Sequence, residues 1–314
     1  MSDIVLSIVV PVYNEAQSIW HTYQQISAVV SKMGMQYEIL FVDDGSTDLS
    51  FQKLTEIVQS DSHVRIVHLS RNFGHQAALT AGMDLCRGEG MICLDADLQH
   101  PPELIPAMVQ KWQEGFDVVY TVRRDSNDVG LFKRFTSRLF YRMLNWISPI
   151  QIEPNAADFR LISRKVIDVF KYDLRERNRF LRGMTAWVGF NCTRLYYQAQ
   201  PRFAGSSKYS LTKMIGFALS GLASFSKVPL YLGLFAGVIL GVFSMVYGVY
   251  ALLLRMLTNR PVPGWTSLLV VVTFIGAIQL FILGLLGLYI GYMFDEVKGR
   301  PIYIVDQLVE SKQA

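Results

Sequence analysis

An α/β domain on a mostly parallel sheet, followed by a two-helix membrane hairpin, is the fold class this sequence predicts. Two observations carry the prediction. From Val5 to about Tyr120, short apolar runs alternate with stretches whose apolar residues fall three and four apart. Further on, Val228 to Leu254 and Trp265 to Phe294 contain no Asp, Glu, Lys or Arg, and each exceeds the roughly 20 residues that cross a bilayer core.

The strands expected in the first part are Leu6 to Val12, Tyr37 to Val42, Val64 to Leu69, Met91 to Leu94 and Asp117 to Thr121. Each is short and almost wholly apolar, as a strand covered on both faces must be. Between them Ala16 to Met33, Leu49 to Gln59, His75 to Cys86 and Pro102 to Trp112 carry helical spacing. Parallel sheets of this kind bind ligands beyond the carboxyl ends of their strands. Polar residues gather there: Pro11-Val12-Tyr13-Asn14-Glu15 after the first strand, Asp43-Asp44-Gly45-Ser46-Thr47-Asp48 after the second, and Asp95-Ala96-Asp97-Leu98-Gln99-His100-Pro101-Pro102 after the fourth. Asp48 is equally suited to capping the helix from Leu49.

Beyond Thr121 the alternation weakens. Arg123-Arg124 precedes a helix expected over residues 129–147, with Arg134, Arg138 and Arg142 on one face. Asp158-Phe159-Arg160 opens a short apolar segment and a helix, and residues 179–189 continue with Phe180, Leu181, Met184 and Trp187 on an apolar side. Gly205-Ser206-Ser207-Lys208-Tyr209 leads to an apolar stripe, Leu211, Met214, Ile215, Ala218, Leu219 and Leu222, which reads as a helix lying on the bilayer surface. Lys208, Lys213 and Lys227 before the first span, and Lys298, Arg300 and Lys312 after the second, outnumber Arg255 and Arg260 between them. That bias places both ends in the cytoplasm. Gly233, Gly237 and Gly241, with Gly287 and Gly291, give each span a small-residue face that could pack on its partner helix or on another subunit. The run Pro301 to Val305 is strand-like and could pair between subunits, so a homo-oligomer is among the expected partners. The expected domains are residues 1–204 (catalytic), 205–227 (interfacial helix), 228–294 (hairpin) and 295–314 (cytoplasmic tail).

Composition narrows the function. The first apolar run is too short and wrongly flanked for a secretory signal, so the first domain is expected to stay where it is made. Cys86, Cys93 and Cys192 follow no metal or redox spacing. A net charge of +4 without a basic tract gives nucleic-acid binding no support. No Gly-x-Gly-x-x-Gly or Walker-type glycine loop occurs, so phosphates must be held by metal and arginine. Two carboxylates one residue apart at a strand end suit a hard cation, and the usual cargo of such a cation is a diphosphate.

Taken together, the three loop motifs, Asp158-Phe159-Arg160 and Gly205-Ser206-Ser207-Lys208-Tyr209, in this order before a hairpin, resemble the inverting family 2 glycosyltransferases. The subgroup is that of polyprenyl-phosphate glycosyltransferases, including dolichyl-phosphate mannose synthases and bactoprenol glucosyltransferases, with the membrane hairpin favouring the latter. The resemblance implies a GT-A (Rossmann-like) fold, with Pro11, Tyr13, Glu15, Asp43 and Asp95 around the nucleotide and Asp95, Asp97 and Gln99 near Mg2+ or Mn2+. It implies that Arg123, Arg134 and Arg138 neutralise donor and acceptor phosphates and that Lys208 belongs to a loop closing on the donor. Asp158 is expected either to orient the acceptor or sugar hydroxyls or to serve as base. Ala157 departs from the Gly that often precedes Asp-Phe-Arg in relatives. The Gln-x-x-Arg-Trp motif of processive synthases is absent, which argues against chain extension. The expected reaction is transfer of a hexose, glucose from UDP-glucose, to undecaprenyl phosphate in the inner membrane, with a flippase and a later glycosyltransferase as downstream partners. Mannosyl or aminosugar transfer to the same acceptor class, a glycosyltransferase acting on a hydroxyl, and a non-catalytic scaffold are the alternatives.

Overall fold

The computed structural model describes residues 4–123, 156–177, 179–198, 228–258 and 264–311. They fall into two units, an α/β unit that also includes the chain from Arg300 onward, and a helical unit within residues 222–299.

Among the described residues the α/β unit is built on an eight-stranded sheet in the order β7-β5-β6-β4-β1-β2-β3-β8. Its strands are β1 (Leu6–Val12), β2 (Tyr37–Asp43), β3 (Val64–Leu69), β4 (Gly90–Cys93), β5 (Val118–Arg123), β6 (Ala156–Ser163), β7 (Cys192–Tyr197) and β8 (Val305–Glu310). The first four run parallel, as their mostly apolar sequences imply. Strand β6 enters antiparallel between β4 and β5, which makes the sheet mixed. This is the mostly parallel, helix-covered arrangement expected from the sequence. Helices α1 (Ile19–Val30), α2 (Ser50–Ser60), α3 (His75–Leu85) and α4 (Ile105–Gln113) connect the first five strands. Shorter helices α5 (Arg164–Asp168) and α6 (Leu181–Trp187) follow β6.

Burial follows the periodicity. Ile19, Thr22, Ile26 and Val30 form the inner face of α1, and Leu54, Ile57 and Val58 that of α2. Helix α3 differs, because Ala77 through Asp84 are all buried. Its small residues let it approach β1 closely: a Cβ on Gly82 would collide with the Val9 side chain.

Two sequence expectations shift at this level. Helix α1 starts at Ile19, not Ala16, because the backbone of residues 14–16 is engaged with the loop after β2. The tail strand lies at Val305–Glu310, later than the run proposed for pairing between subunits, and it pairs antiparallel with β3 of the same chain, Arg65 opposite Glu310 and Leu69 opposite Val305.

The helical unit contains α7 (Val228–Thr258) and α8 (Trp265–Val297). Both are long and apolar enough to cross a membrane. A Cβ on Gly233 would come into contact with Ile282 across the pair, whereas among the described residues one on Gly237, Gly241, Gly287 or Gly291 would meet no neighbour within 4 Å. The basic helix over 129–147, with Arg134 and Arg138, and the interfacial segment 205–227, with Lys208, lie outside the described residues.

Candidate active site

The carboxyl ends of β1 to β4 each feed a polar loop, and hydrogen bonds stitch these loops together. In the first, Asn14 takes a left-handed backbone (φ 53°), which asparagine tolerates better than most residues. Its Oδ1 accepts the Thr47 amide at 2.8 Å, while its own amide donates to Ser46 Oγ at 3.0 Å. The Glu15 amide donates to Ser50 Oγ at 2.9 Å, and the Ala16 amide to Asp48 at 3.3 Å. Asp48 also accepts the Ser50 amide at the start of α2, so it both ends the loop and begins the helix. Pro11 is buried within β1, Tyr13 is exposed, and Glu15 is partly buried.

The two acids at the end of β2, Asp43 and Asp44, are buried. Asp43 has no exposed side-chain surface; its carboxylate meets His68 Nδ1 at 2.6 Å and accepts the Ser46 amide at 3.3 Å. Asp44 accepts the amides of Phe73 and Gly74, at 2.7 and 2.9 Å, and so fixes the loop after β3. Burial pushes the Asp44 carboxyl up, against those two amide bonds. Gly45, at φ +62°, lies where a Cβ would strike the Arg71 backbone, so only glycine fits between these loops.

The acid pair after β4 is held on three sides. His75 Nε2, at the first position of α3, lies 2.9 Å from Asp95 Oδ1. His100, stacked on Phe159 at 5.4 Å, accepts the Asp95 amide at Nδ1 and stands 3.7 Å from Asp95 Oδ2. Thr22 of α1 donates to the Ala96 carbonyl at 2.9 Å. Asp97 Oδ1 accepts the Gln99 amide at 3.1 Å, which closes a tight turn over Leu98. Leu98 has φ 59°, a conformation that costs a residue of its type on the order of 1 kcal/mol or more. Strain of this kind persists where surrounding contacts over-determine it. Burial raises the Asp95 carboxyl, but the hydrogen bond and charge of His75 outweigh it and hold the group below its usual range. Conversely, burial would lower His75, yet Asp95 and Asp158 push it up to about 9.

Strand β6 brings Asp158 to the same edge. Cys93 lies opposite Arg160 in the antiparallel register, so two residues further on Asp95 comes alongside Asp158. Arg182 of α6 grips Asp158 through both oxygens, Nε and Nη2 each at 2.8 Å. Buried Arg160 adds a contact at 3.2 Å and also donates to Thr185. Burial raises the Asp158 carboxyl, but Arg182 first, then Arg160 and His75, hold it far below the ordinary carboxylate range. Arg123 ends β5 exposed, paired in register with Tyr197.

Of the residues expected from sequence, Pro11, Tyr13, Glu15, Asp43, Asp95, Asp97, Gln99, Arg123 and Asp158 lie at or beside this edge. Sequence reasoning gave no role to His75, His100 or Arg182. The signal for His75 was its place at the start of the helix that follows β3 and its loop, the end of the sheet at which such folds present ligand-facing groups. Arg182 was hidden by the apolar helix around it.

Among the described residues no three His, Cys, Asp or Glu side chains converge as a metal cage. Asp95, Asp97 and Gln99 supply hard oxygen donors at one turn, a partial set that fits Mg2+ or Mn2+ when substrate phosphates contribute the remaining oxygens.

Residues 7–170 match the model of glycosyl transferase family 2. Matching proteins include an uncharacterised glycosyltransferase of Synechocystis, 42% identical over 305 residues and covering 97% of this chain and 96% of that protein. YkcC, an uncharacterised glycosyltransferase of Bacillus subtilis, is 45% identical over 301 residues, covering 96% and 93%. A prophage-derived bactoprenol glucosyl transferase of Shigella flexneri is 39% identical over 300 residues, covering 96% and 97%. Among solved structures, glucosyl-3-phosphoglycerate synthase from Mycobacterium tuberculosis, in complex with Mn2+, UDP and phosphoglyceric acid, overlaps with a TM-score of 0.48 at 20% identity, covering 70% of this chain and 76% of that one. The chain belongs to glycosyl transferase family 2, and it is a glycosyltransferase.

Proposed function

We propose that this protein transfers a hexose, glucose from UDP-glucose, to the phosphate of a polyisoprenyl lipid, with inversion at the anomeric carbon and with Mg2+ or Mn2+ as cofactor. The observation that carries the reading is the meeting of Asp95, His75, Asp158 and Arg182 at the carboxyl edge of the sheet, in a chain with two membrane-length helices. Relatives named bactoprenol glucosyl transferase at near full length support the acceptor class.

The first and second loops receive the nucleotide, with Tyr13 and Glu15 at their surface and Asp43 and Asp44 bracing them from beneath. A divalent cation held by Asp95, Asp97 and Gln99 would supply charge neutralisation for the departing diphosphate. Arg123, and by resemblance Arg134, Arg138 and Lys208, add cationic contacts to donor and acceptor phosphates. The acceptor is a phosphate monoester with a second pKa of about 6, so near neutral pH most of it is already a dianion able to attack. Asp158, gripped by Arg182 and held far below the usual carboxylate range, is a poor proton acceptor. It therefore orients the arginines, and through them the substrates. Both termini and the catalytic unit lie on the cytoplasmic side, where nucleotide sugars are made.

Transfer of radiolabel from UDP-glucose to extractable polyprenyl phosphate, by purified protein with Mg2+ or Mn2+, tests the reading. Labelled lipid that disappears on chelation and in Asp97→Ala is expected. Label from GDP-mannose or an aminosugar nucleotide instead would change the donor, and no transfer from any donor would favour a binding role.

A further inference from the structure

The chain that follows α8 does more than extend the sheet. Strand β8 pairs with β3 along its length, and two contacts just before it reach the loop after β3 and the last turn of α3. The Ser70 amide donates to the Ile304 carbonyl at 3.0 Å. Ser70 opens the loop whose Phe73 and Gly74 amides hold Asp44. Tyr303, half-buried, donates its hydroxyl proton to Asp84 Oδ2 at 2.8 Å. Asp84 belongs to the last turn of α3 and also takes Arg175 Nη1 on both oxygens at 2.8 Å.

Helix α3 links this point to the active site. His75, its first residue, meets Asp95. Gln76 accepts the amide of Leu181, the residue before Arg182. Thr80 receives Arg179 at 3.2 Å. Because α3 is buried from Ala77 to Asp84 and wedged against Val9 at Gly82, it shifts as a unit if it shifts at all.

We infer that the C-terminal tail is a positioning element of the donor site, with Tyr303 as its positioning residue: it anchors α3 through Asp84 while Ile304 anchors the loop from Ser70 to Gly74. The inference rests on the proposed reading only in taking Asp95 and the loop after β3 as part of the donor site. A tail that merely covers the edge of β3 would act alike at both its ends. At the other end Glu310 bonds Arg65 and Arg87, at 2.9 and 2.7 Å, while Arg65 stays paired with buried Glu38 at 2.6 Å. Glu310→Gln is therefore the comparison for Tyr303→Phe.

The test is hydrogen–deuterium exchange on the full-length protein in detergent, together with the donor KM. Tyr303→Phe is expected to raise exchange in peptides spanning residues 70–78 by about threefold or more and to raise KM for the nucleotide sugar severalfold with little change in kcat. Glu310→Gln is expected to raise exchange around β8 only and to leave both the exchange of peptides spanning residues 70–78 and the donor KM unchanged. The inference is overturned if exchange in Tyr303→Phe rises only around β8, or if Glu310→Gln loosens 70–78 equally. If the wild-type protein transfers no sugar, the proposed function fails, and the exchange comparison still decides the role of Tyr303.

Discussion

The Asp158 carboxylate receives Arg182 through both oxygens at 2.8 Å and Arg160 at 3.2 Å, and its affinity for a proton falls accordingly. With its folded value below the unfolded value of about 3.9, its contribution to stability is complete above that value and is lost only as pH falls through the folded one. Between about pH 5 and 8 neither stability nor turnover should titrate with Asp158. The expected acid limb in kcat/KM instead reflects the acceptor phosphate, centred at about pH 6. Asp158→Asn should lower kcat, since it leaves buried Arg160 with a weaker partner and loosens Arg182. The residual activity should keep the same limb. A limb present in the wild type and absent in the variant would restore the role of base. Sequence alone left base and orienting roles open here, because the partner Arg182 lies 24 positions away and only the fold brings the two together.

Helix α3 is the element through which most of the site is braced, and its close contact with β1 is its most sensitive point. Alanine is preferred to glycine within a helix by about 1 kcal/mol, so Gly82→Ala would stabilise α3 in isolation. In the folded protein the new methyl group collides with Val9, and overpacking a core costs about 1–3 kcal/mol. The collision should win, lowering the thermal midpoint by several degrees and weakening donor binding through His75. An unchanged or raised midpoint would show that α3 and β1 separate easily. The strands of the parallel half were legible because an apolar run covered on both faces has few alternatives. Strand β6 was less so, since Asp158-Phe159-Arg160 breaks its apolar pattern and its antiparallel direction is set by tertiary pairing. Strand β8, VDQLVE, mixes polar and apolar residues without a regular alternation, which gives too weak a pattern to fix its partner. The acid-bearing loops were legible as a group from strand-end position alone, whereas their cross-links, such as Asn14 to Thr47, depend on backbone geometry that sequence does not display.

At the scale of the whole molecule the tail and the hairpin are joined in one constraint. Cutting the chain after Lys208 would remove β8 together with α7 and α8 and expose the edge of β3, so loss of activity in such a truncation would not isolate the membrane's contribution. Varying the acceptor does so. On the proposed function, a polyprenyl tail confined to the bilayer would meet an enzyme held at the same surface, and the entropic cost of the encounter would fall. In vesicles, undecaprenyl phosphate should show a KM at least about tenfold below that of a short, water-soluble isoprenyl phosphate, with similar kcat. Equal KM values would remove the hairpin from the account of acceptor use.

The central claim is that a hexose passes from nucleotide diphosphate to a lipid phosphate with inversion. Its most direct measurement is mass spectrometry and proton NMR of the lipid product made from UDP-glucose and undecaprenyl phosphate by the purified protein. The expected product has the mass of a single hexose joined to the lipid monophosphate, with an anomeric coupling and phosphorus splitting that place a β-linked sugar on phosphate. An α-linked product would contradict inversion, and a hexose attached anywhere other than phosphate would contradict the acceptor chemistry on which the whole reading depends.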